Sequence, residues 1–458
     1  MEARALILAA GVGTRMKSDK PKVLHELLGK PLVRWVVDAS YAAGCQMVHV
    51  VVGHKREQVE AVLDDCTISF QPEMLGTGNT VMCAAEALAG FTGTLFVMCG
   101  DAPLVRPETL RALRDAHERG GNAATVLTMH VDDPTGYGRI VRDGAGEVCR
   151  IVEEKDCTDA QRAVRECNSG VYCFDAAALL GHLDRLGCDN AQGEYYLTDM
   201  VEVLRGTGLK AGSMVVADND ECLGVNSRVQ LAQATKVMQR RINEAHMLAG
   251  VTFTDPDLVW VGPDVQLGRD VELLPLTMLS GATRVGAGST VGPNTRLADC
   301  TVGEGCSIEE TVGVCAEIGD GCSVGPRAYL RSGTRLLDGA HVGTHVEVKK
   351  STIGTGAKVP HLSYVGDATV GARANLGAGT ITCNYDGVNK NPTTIGEDAF
   401  IGSSTMLVAP VSVGARATVG AASCITEDVP DDALALERSE QVVKEHWRER
   451  HEARRPRR

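Results

Sequence analysis

The chain has 458 residues, which at about 150 residues per domain predicts two large domains or three smaller ones. Its net charge of −13 argues against a general nucleic-acid binder, and no stretch approaches the roughly 18 apolar residues of a membrane span. The apolar run at residues 5–10 lacks the basic start and cleavage site of a signal peptide, so we expect a strand there. The 16 cysteines include no Cys-x-x-Cys pair, which favours buried, reduced thiols in a cytoplasmic protein over a zinc ribbon.

The first half of the chain alternates apolar runs of strand length with helix-like segments. Strands are predicted over 5–10, 47–52, 94–99, 123–129 and 170–174, and helices over 32–43, 58–63, 79–89 and 107–119. Such alternation indicates an α/β domain of Rossmann-like type with a mostly parallel sheet. In these sheets the functional residues lie at the carboxyl ends of the strands.

A long helix is predicted next. A capping signal at Asn226 and Ser227 begins a run of apolar residues at helical spacing, and Gly250 marks its end. We therefore divide the chain into a domain over 1–226, a linker helix over 227–250 and a second domain over 251–458.

The second domain repeats an aliphatic residue every six positions, very often followed by glycine. The register runs through Leu279, Val285, Val291 and Leu297, then Val312, Ile318, Val324, Leu330, Leu336, Val342 and Val348, and finally Ile395, Ile401, Leu407, Val413, Val419 and Ile425. A period of six fits neither an amphipathic helix nor a sandwich, and a flexible linker keeps no register. It predicts a parallel β-helix with three hexads per coil and, over about 170 residues, roughly nine coils.

Three features of this repeat are candidates for function. His361 lies among the hexads and is of the residue type that accepts a proton near neutral pH, although a plain surface histidine is the alternative. Arg331 and Lys349 are one coil of 18 residues apart, so they are expected to stack about 4.8 Å apart and to bind an anion, unless both are simply solvated. The polar insertion at 382–392 breaks the register and is either a binding loop or an inert one.

A glycine turn follows the first predicted strand. Gly11 and Gly13 suit a close approach of backbone N–H groups to phosphate oxygens, but Met16 stands where both the dinucleotide fingerprint and the Walker loop need glycine. The cations Arg15, Lys17, Lys20 and Lys22 follow. This arrangement suits a triphosphate, with a plain strand-to-helix turn beside solvated lysines as the alternative.

Two further turns strengthen the triphosphate hypothesis. Asp101 follows the strand at 94–99 between Gly100 and Pro103, where a carboxylate can bind Mg²⁺ on phosphates or merely cap a turn. Gln71 and the turn containing Gly76 and Thr77 precede a helix and can read the edge of a base.

The motifs LxxGxGTRM, LGTGNT, GDxPL, PTGYGRI, IVEEKD, NSG, AQGEYYLTD and GVNSR resemble those of sugar-1-phosphate nucleotidyltransferases. With the hexad repeat behind them, nearly the whole chain, from about residue 4 to 445, resembles the bifunctional N-acetylglucosamine-1-phosphate uridylyltransferases/glucosamine-1-phosphate N-acetyltransferases. The resemblance implies that the β-helix is left-handed and built of hexapeptide repeats. It also implies a homotrimer with active sites between the prisms.

For the first domain the resemblance implies a UTP site, a sugar-phosphate site and a Mg²⁺ site. The implied UTP residues are Leu8, Ala9, Ala10, Gly11, Arg15, Lys22, Gln71, Gly76, Thr77 and Gly100. The implied sugar-phosphate residues are Gly138, Glu153, Asn168 and Asn226, and Asp101 and Asn226 would bind Mg²⁺. Cys99 departs from the tyrosine frequent in relatives. A sugar phosphate is already an anion, so its attack on UTP requires positioning and charge neutralisation rather than a general base.

For the second domain the resemblance implies His361 as the base for acetyl transfer, because an ammonium group cannot attack a thioester. Arg331, Lys349, Tyr364 and Asn375 would bind the acetyl acceptor. The implied acetyl-CoA residues are Ala378, Asn384, Tyr385, Ser403, Ala421 and Arg438, partly across a subunit boundary.

The implied activity is acetylation of glucosamine-1-phosphate by acetyl-CoA, followed by uridylylation with UTP to UDP-N-acetylglucosamine, a precursor of peptidoglycan and lipopolysaccharide. The expected partners are these small molecules, with neither nucleic acid nor membrane. The basic tail, with Arg448, Arg450, Arg454, Arg455, Arg457 and Arg458, is interpreted as solvated rather than RNA-binding. Two rivals stay open: a nucleotidyltransferase whose β-helix only assembles or regulates it, and a non-catalytic binding subunit.

Overall fold

The fold is described from a computed structural model in which residues 2–453 are placed. Of the predicted basic tail, Arg454, Arg455, Arg457 and Arg458 lie outside this range. The chain divides into two units, Met1–Arg241 and Ile242–Arg458. The division falls inside a long helix, which runs from Arg228 to Leu248.

The first unit is built on a twisted sheet flanked by helices. Its strands are β1 Ala3–Ala9, β2 Glu26–Leu27, β3 Lys30–Pro31, β4 Met47–Val52, β5 Thr67–Phe70, β6 Thr94–Cys99, β7 Ala124–His130, β8 Arg139–Arg142, β9 Val148–Val152, β10 Glu166–Asp175 and β11 Ala211–Val215. The main sheet has the order β11-β7-β10-β6-β1-β4-β5, with β8 and β9 attached through β10. Along this path β10 is antiparallel to both of its neighbours, and the other pairs are parallel. The sheet is therefore mostly parallel, as the alternating pattern predicts.

The helices pack their apolar stripes on this sheet. They are α1 Leu32–Ala42, α2 Arg56–Glu60, α3 Thr77–Ala84, α4 Pro107–Gly120, α5 Asp159–Arg162, α6 Ala176–Leu180, α7 Met200–Gly206 and α8 Arg228–Leu248. Short 3₁₀ turns occur at Thr14–Met16, Lys22–Leu24, Glu154–Asp156, Leu183–Arg185, Leu197–Asp199 and Asn219–Cys222. In α1, for example, Val33, Val36 and Val37 are buried at helical spacing against the sheet. None of the helices described in residues 2–453 has the length and apolarity needed to cross a membrane.

The second unit is a parallel β-helix. Within residues 2–453 its strands form three parallel sheets, which we call the first, second and third faces. The first face contains Thr252–Phe253, Glu272–Leu273, Thr290–Val291, Ser307–Ile308, Ser323–Val324, His341–Thr344, Lys358–His361, Asn375–Leu376, Phe400–Ile401, Thr418–Val419 and Leu434–Ala435. The second contains Trp260–Val261, Met278–Ser280, Arg296–Ala298, Val312–Val314, Tyr329–Leu330, Glu347–Lys349, Tyr364–Gly366, Ile381–Cys383, Met406–Val408 and Cys424–Ile425. The third contains Gln266–Leu267, Arg284–Val285, Thr301–Val302, Glu317–Ile318, Arg335–Leu336, Thr352–Ile353, Ala368–Val370, Thr393–Ile395 and Val411–Val413.

Successive strands visit the three faces in turn, so each coil stacks on the one before it. The aliphatic residues of the hexads point inward and are almost fully buried; Val342, Val348 and Ile353, one from each face of the same coil, have no exposed area. Helix α9, Trp447–Ala453, follows the last coil and contains Arg448 and Arg450. A further 3₁₀ turn, Pro256–Leu258, precedes the second strand of the unit.

Candidate active sites

The glycine turn and Asp101 meet because their strands are neighbours. Strands β1 and β6 pair in parallel with Leu8 opposite Cys99, so both strands end at the same edge of the sheet. The Gly100 N–H donates to the Leu8 carbonyl at 2.9 Å, and the Val225 N–H donates to the Asp101 carbonyl at 2.8 Å. The second of these bonds brings Asn226, next in the chain, to the same edge.

A cavity of about 250 Å³ opens at this edge. Of the residues predicted to bind UTP, it is lined by Leu8, Ala9, Ala10, Gly11, Lys22, Gln71, Gly76 and Thr77, and Asp101 joins them. Arg15 and Gly100 stand outside the lining. The lining also contains Val23, Met74, Thr80, Cys99 and Glu194, which are not among the residues predicted to bind UTP.

Beside this cavity, two cations contact the side-chain oxygens of Asp101 and Asn226. Lys22 forms an ion pair with the Asp101 carboxylate, and its Nζ donates to Asn226 Oδ1 at 3.0 Å. Arg15 donates to the same Asn226 oxygen at 2.8 Å. Four charged or polar side chains, from three distant parts of the chain, thus meet at one point.

The donor set suits Mg²⁺ on a phosphate chain. Mg²⁺ is bound in proteins by one or two carboxylate or amide oxygens together with waters and substrate phosphates. Asp101 and Asn226 offer such oxygens, and both lie within hydrogen-bond distance of the same Lys22 nitrogen. Among the placed residues there is no cluster of three or more His, Cys, Asp or Glu side chains of the kind that holds a metal without substrate.

Gln71 is held rigidly at the cavity wall. Its side chain is buried; Nε2 donates to Asn79 Oδ1 at 2.8 Å, and Oε1 accepts from Thr80 Oγ1 at 2.9 Å. Asn79 belongs to the turn that was predicted to read a base edge, whereas Thr80 was assigned no role from the sequence; both lie in α3. A fixed amide at a cavity wall has the geometry needed to discriminate between base edges.

Gly138, Glu153 and Asn168 come together beside this cavity. A Cβ atom added at Gly138 would lie 3.5 Å from Asn168 Cβ and 3.6 Å from Glu153 Oε1. Thr198 Oγ1 donates to Glu153 Oε1 at 3.1 Å, and Asn168 Nδ2 donates to the Tyr172 hydroxyl at 2.6 Å. Burial raises the pKa of Glu153 above its ordinary value. Thr198 lies in the AQGEYYLTD motif and Tyr172 in the strand predicted over 170–174, but neither bond was predicted from the sequence.

Cys99 lies in the cavity lining, between the residues predicted to bind UTP and those predicted to bind the sugar phosphate. Its Sγ atom is 3.8 Å from where a Cβ of Gly170 would be, beside the strand that carries Asn168. Burial, with a contribution from Asp101, raises the pKa of the Cys99 thiol to about 12. At this position the chain therefore presents a small neutral group to the cavity.

The second candidate site lies on the β-helix. Arg331 and Lys349 are on adjacent coils of the second face, since the Arg331 N–H donates to the Val348 carbonyl at 2.9 Å. Each cation has a carboxylate partner: Arg331 bonds Glu347 at 2.9 Å, and Lys349 bonds Asp367 at 2.9 Å. These two carboxylate partners were not predicted from the sequence, from which only a bound anion was expected to pair with the stacked cations.

Asp367 links this pair of cations to the polar insertion. The Asn384 amide donates to Asp367 Oδ2 at 2.5 Å and lies 3.4 Å from the Tyr364 hydroxyl. Burial alone would raise the pKa of Asp367, but the hydrogen bonds from Lys349 and Asn384 hold it below its ordinary value. Lys349, Tyr364 and Asn384 therefore form one polar network.

His361 lies at the corner between the first and second faces, where its ring is exposed. The same corner of the following coils carries Ala378, Ser403 and Ala421, and backbone bonds of 2.7 and 2.8 Å join their coils. Arg438 donates to the Ala421 carbonyl at 3.2 Å. A column thus extends along one edge from His361 through most of the residues predicted to bind acetyl-CoA.

Two residues predicted to bind substrate, Asn375 and Tyr385, do not join this column within one chain. Asn375 lies on the first face, whereas Tyr364 lies on the second, because the chain changes face about every six residues. Tyr385 is exposed on the insertion, where its ring lies 4.0 Å from Lys390 Nζ.

Two family models match different parts of the chain. Residues 5–197 match the MobA-like NTP transferase domain, and residues 392–427 match the hexapeptide repeat of succinyl-transferase. The predicted fold class is thereby confirmed: a Rossmann-like nucleotidyltransferase domain followed by a left-handed parallel β-helix of hexapeptide repeats.

Whole-chain relatives share the same name. The "Bifunctional protein GlmU" of Heliobacterium modesticaldum is 51% identical over 444 residues, covering 97% of both chains. Those of Caldanaerobacter subterraneus and Streptomyces avermitilis are 49% and 50% identical, each over 97% of this chain and over 97% and 94% of their own length.

Proposed function

Since the chain belongs to the family of bifunctional GlmU proteins, we propose which of its residues perform each of the two reactions. The chain is an enzyme with both N-acetyltransferase and nucleotidyltransferase activity. It transfers an acetyl group from acetyl-CoA to glucosamine-1-phosphate. It then transfers the uridylyl group of UTP to N-acetylglucosamine-1-phosphate, which gives UDP-N-acetylglucosamine and releases pyrophosphate.

The uridylyl transfer is assigned to the cavity at the ends of β1 and β6. A phosphate oxygen of the sugar phosphate attacks the α-phosphorus of UTP in line, and the bond to the β-phosphate oxygen breaks. Gln71, with Gly76 and Thr77, would read uracil, and Arg15 and Lys22 would neutralise the phosphates. Gly138, Glu153 and Asn168 would hold the sugar. The attacking group is already an anion, so these residues position and neutralise rather than remove a proton.

Mg²⁺ is proposed as the cofactor of this half, held by Asp101 and Asn226. When bound, it would supply further neutralisation of the phosphate charge. Lys22 contacts both residues. Lys22 is thus placed to exchange these contacts for substrate phosphates.

The acetyl transfer is assigned to the corner that carries His361. The histidine would take a proton from the amine of glucosamine-1-phosphate as its nitrogen attacks the thioester carbonyl. Coenzyme A then leaves as a thiolate that is protonated in turn. Arg331 and Lys349 would bind the phosphate of the acceptor in exchange for Glu347 and Asp367. Tyr364 and Asn375 would bind its sugar.

Acetyl-CoA would lie along the column that begins at His361. The proposed contacts are with Ala378, Asn384, Tyr385, Ser403, Ala421 and Arg438. The column supports this assignment because it runs along one edge of the β-helix and starts at the proposed base.

A homotrimer and a cytoplasmic location are also proposed. The exposed side chains of the second face include the apolar Met278, Tyr329 and Val408, which association would cover. A cyclic trimer joins two different surfaces of each chain, which would allow Asn375 and Tyr364 to serve one site. All cysteines in residues 2–453 are free thiols, as expected in a reducing compartment.

One observation carries the proposal of two separate reactions: Asp101 and His361 belong to different units. Asp101 is paired with Lys22 beside the cavity of the first unit, and His361 begins the column on the β-helix. The experiment measures thiol release from acetyl-CoA with glucosamine-1-phosphate, and pyrophosphate release from UTP with N-acetylglucosamine-1-phosphate. His361→Ala is expected to abolish the first and spare the second, and Asp101→Ala to do the reverse. Acetylation by His361→Ala within a few fold of the unmodified enzyme would show that the base is wrongly assigned.

A further inference from the structure

Arg139 is a buried cation next to the proposed sugar site. Its side chain is 2% exposed, and its Nη2 atom lies 2.5 Å from Glu154 Oε2. Nη1 donates to the Tyr137 carbonyl, whereas Nε has no hydrogen-bond partner among residues 2–453. A buried guanidinium is costly unless it is paired, so this arrangement depends on Glu154.

The ion pair joins the two strands of one hairpin. Arg139 begins β8 and is opposite Val152, the last residue of β9, while Glu154 follows two residues later. Glu154 Oε2 also lies 3.4 Å from the Gly136 N–H. The side chains of Arg139 and Glu154 therefore close the end of the β8–β9 hairpin and fix the turn that contains Gly136 and Tyr137.

Each partner directly follows a proposed sugar-binding residue. Gly138 precedes Arg139, and Glu153 precedes Glu154. Neighbouring residues of a strand face opposite sides, as Gly138 and Arg139 do at the start of β8, and Glu153 and Glu154 lie next to these two residues respectively. On the side away from the ion pair, the Cβ position of Gly138 is 3.6 Å from Glu153 Oε1. The ion pair on one side of the hairpin thus sets the separation of Gly138 and Glu153 on the other.

We infer that Arg139 and Glu154 are a positioning pair for the sugar-phosphate substrate of uridylyl transfer. This rests on the proposed assignment of Gly138, Glu153 and Asn168 to the sugar. The pair touches no substrate; it holds the backbone from which the sugar contacts are made. The cavity wall containing Gln71 is built from other segments, so binding of UTP does not depend on the pair.

The test uses the double variant Arg139→Met/Glu154→Gln in the full chain. Removing both charges avoids leaving one of them buried and unpaired, which by itself destabilises a fold. The expected result is a KM for N-acetylglucosamine-1-phosphate raised about tenfold, with the KM for UTP within about twofold and acetyl transfer unchanged. Arg139→Lys keeps a charge but not the planar fork, so its KM for the sugar phosphate is expected to lie in between.

The matched control is Arg142→Met/Glu166→Gln. This variant removes another ion pair of β8, from the opposite end of the strand, with atoms 2.5 Å apart. It is expected to leave both KM values unchanged. The inference is overturned if the first double variant keeps a normal KM for the sugar phosphate, or if both double variants raise the two KM values alike. Failure of the proposed function would look different, because the unmodified enzyme would then release no pyrophosphate from the two substrates.

Discussion

Asp199 is a carboxyl group that folding places in an unfavourable setting. Burial raises its pKa to about 6, and the negative charges of Glu202 and Asp156 add to the shift. It directly precedes helix α7 and follows Thr198, the hydrogen-bond donor to Glu153. The ionisation of Asp199, which depends on Glu202 and Asp156, is thus linked through the adjacent Thr198 to Glu153 of the proposed sugar site.

Replacing Asp199 with Asn is expected to stabilise the first unit at neutral pH. A carboxyl whose folded pKa is raised binds protons more tightly in the folded state. Its contribution to stability is therefore full below the unfolded pKa of about 4 and is lost as the pH rises through about 6. Since the group is partly solvated, we expect a gain of about 1 kcal/mol at pH 7.5 and none at pH 4.

The measurement for Asp199→Asn is the free energy of opening of helix α7 by hydrogen exchange at several pH values. Glu202→Gln serves as the comparison, because it removes one of the neighbouring charges and should give part of the same gain. A gain that is equal at pH 4 and pH 7.5 would contradict this account of the residue.

The residues of the sites were predictable to different degrees. Leu8, Gly11 and Asp101 follow from a rule of topology, since residues at the ends of neighbouring parallel strands meet at one edge. No such rule predicts the hydrogen bond between Thr198 and Glu153 or the bond between Lys349 and Asp367. They depend on the packing of segments that a single sequence does not bring together.

The geometry of the β-helix accounts for the glycine residues of its hexads. The glycine that often follows the inward aliphatic residue lies where successive coils touch. A Cβ at Gly402 would be 2.4 Å from the backbone nitrogen of Ala421, on the next coil. Two residues later the backbone is left-handed, as at Ser404 and Ala422, with φ of 58° and 59°, and non-glycine residues are accommodated there.

Gly402→Ala is therefore expected to destabilise the second unit strongly, by about 2–3 kcal/mol, because the added methyl group meets backbone that cannot rotate away. It should also raise the KM for acetyl-CoA, since Ser403 and Ala421 belong to the column that begins at His361. Gly305→Ala is the matched control: its φ is 62°, but a Cβ there meets open space, so a cost of at most about 1 kcal/mol is expected.

Urea unfolding followed by hydrogen exchange in the second unit, together with thiol-release kinetics, compares the two glycine variants. Equal losses in Gly402→Ala and Gly305→Ala would contradict the importance assigned to the contact between coils at Gly402.

Some strand and helix boundaries could be predicted from the local sequence alone, and others could not. The strands predicted over 47–52 and 94–99 are found at those residues, because their apolar runs are uninterrupted. The strand predicted over 170–174 extends from Glu166 to Asp175. Its first part contains polar Asn168 and Ser169 and a shift of register, so a functional residue interrupts the apolar pattern. The helix predicted over 79–89 is found over Thr77–Ala84, beginning at the glycine turn itself.

At the scale of the whole molecule, the hexad pattern predicts the β-helix but not which of its faces associates. The inward residues repeat alike on each face, whereas the outward ones differ. On the second face Met278 is 48% exposed, and Tyr329 and Val408 are also accessible. The third face instead presents polar residues such as Thr301 and the Glu317–Arg335 ion pair. This contrast favours the second face over the third as a surface for assembly of the proposed trimer.

Met278→Lys is accordingly expected to weaken assembly, because a buried, unpaired lysine would face the neighbouring chain. Light scattering should give three times the chain mass for the unmodified protein and a lower mass for the variant at the same concentration. Thiol release should fall with the loss of trimer, since Tyr364 and Asn375 would no longer meet, while pyrophosphate release from UTP persists. Thr301→Lys adds the same charge to the third face and should change neither mass nor activity. A Met278→Lys protein that stays trimeric would exclude this face from the interface, and an unmodified protein with the mass of one chain would exclude the trimer.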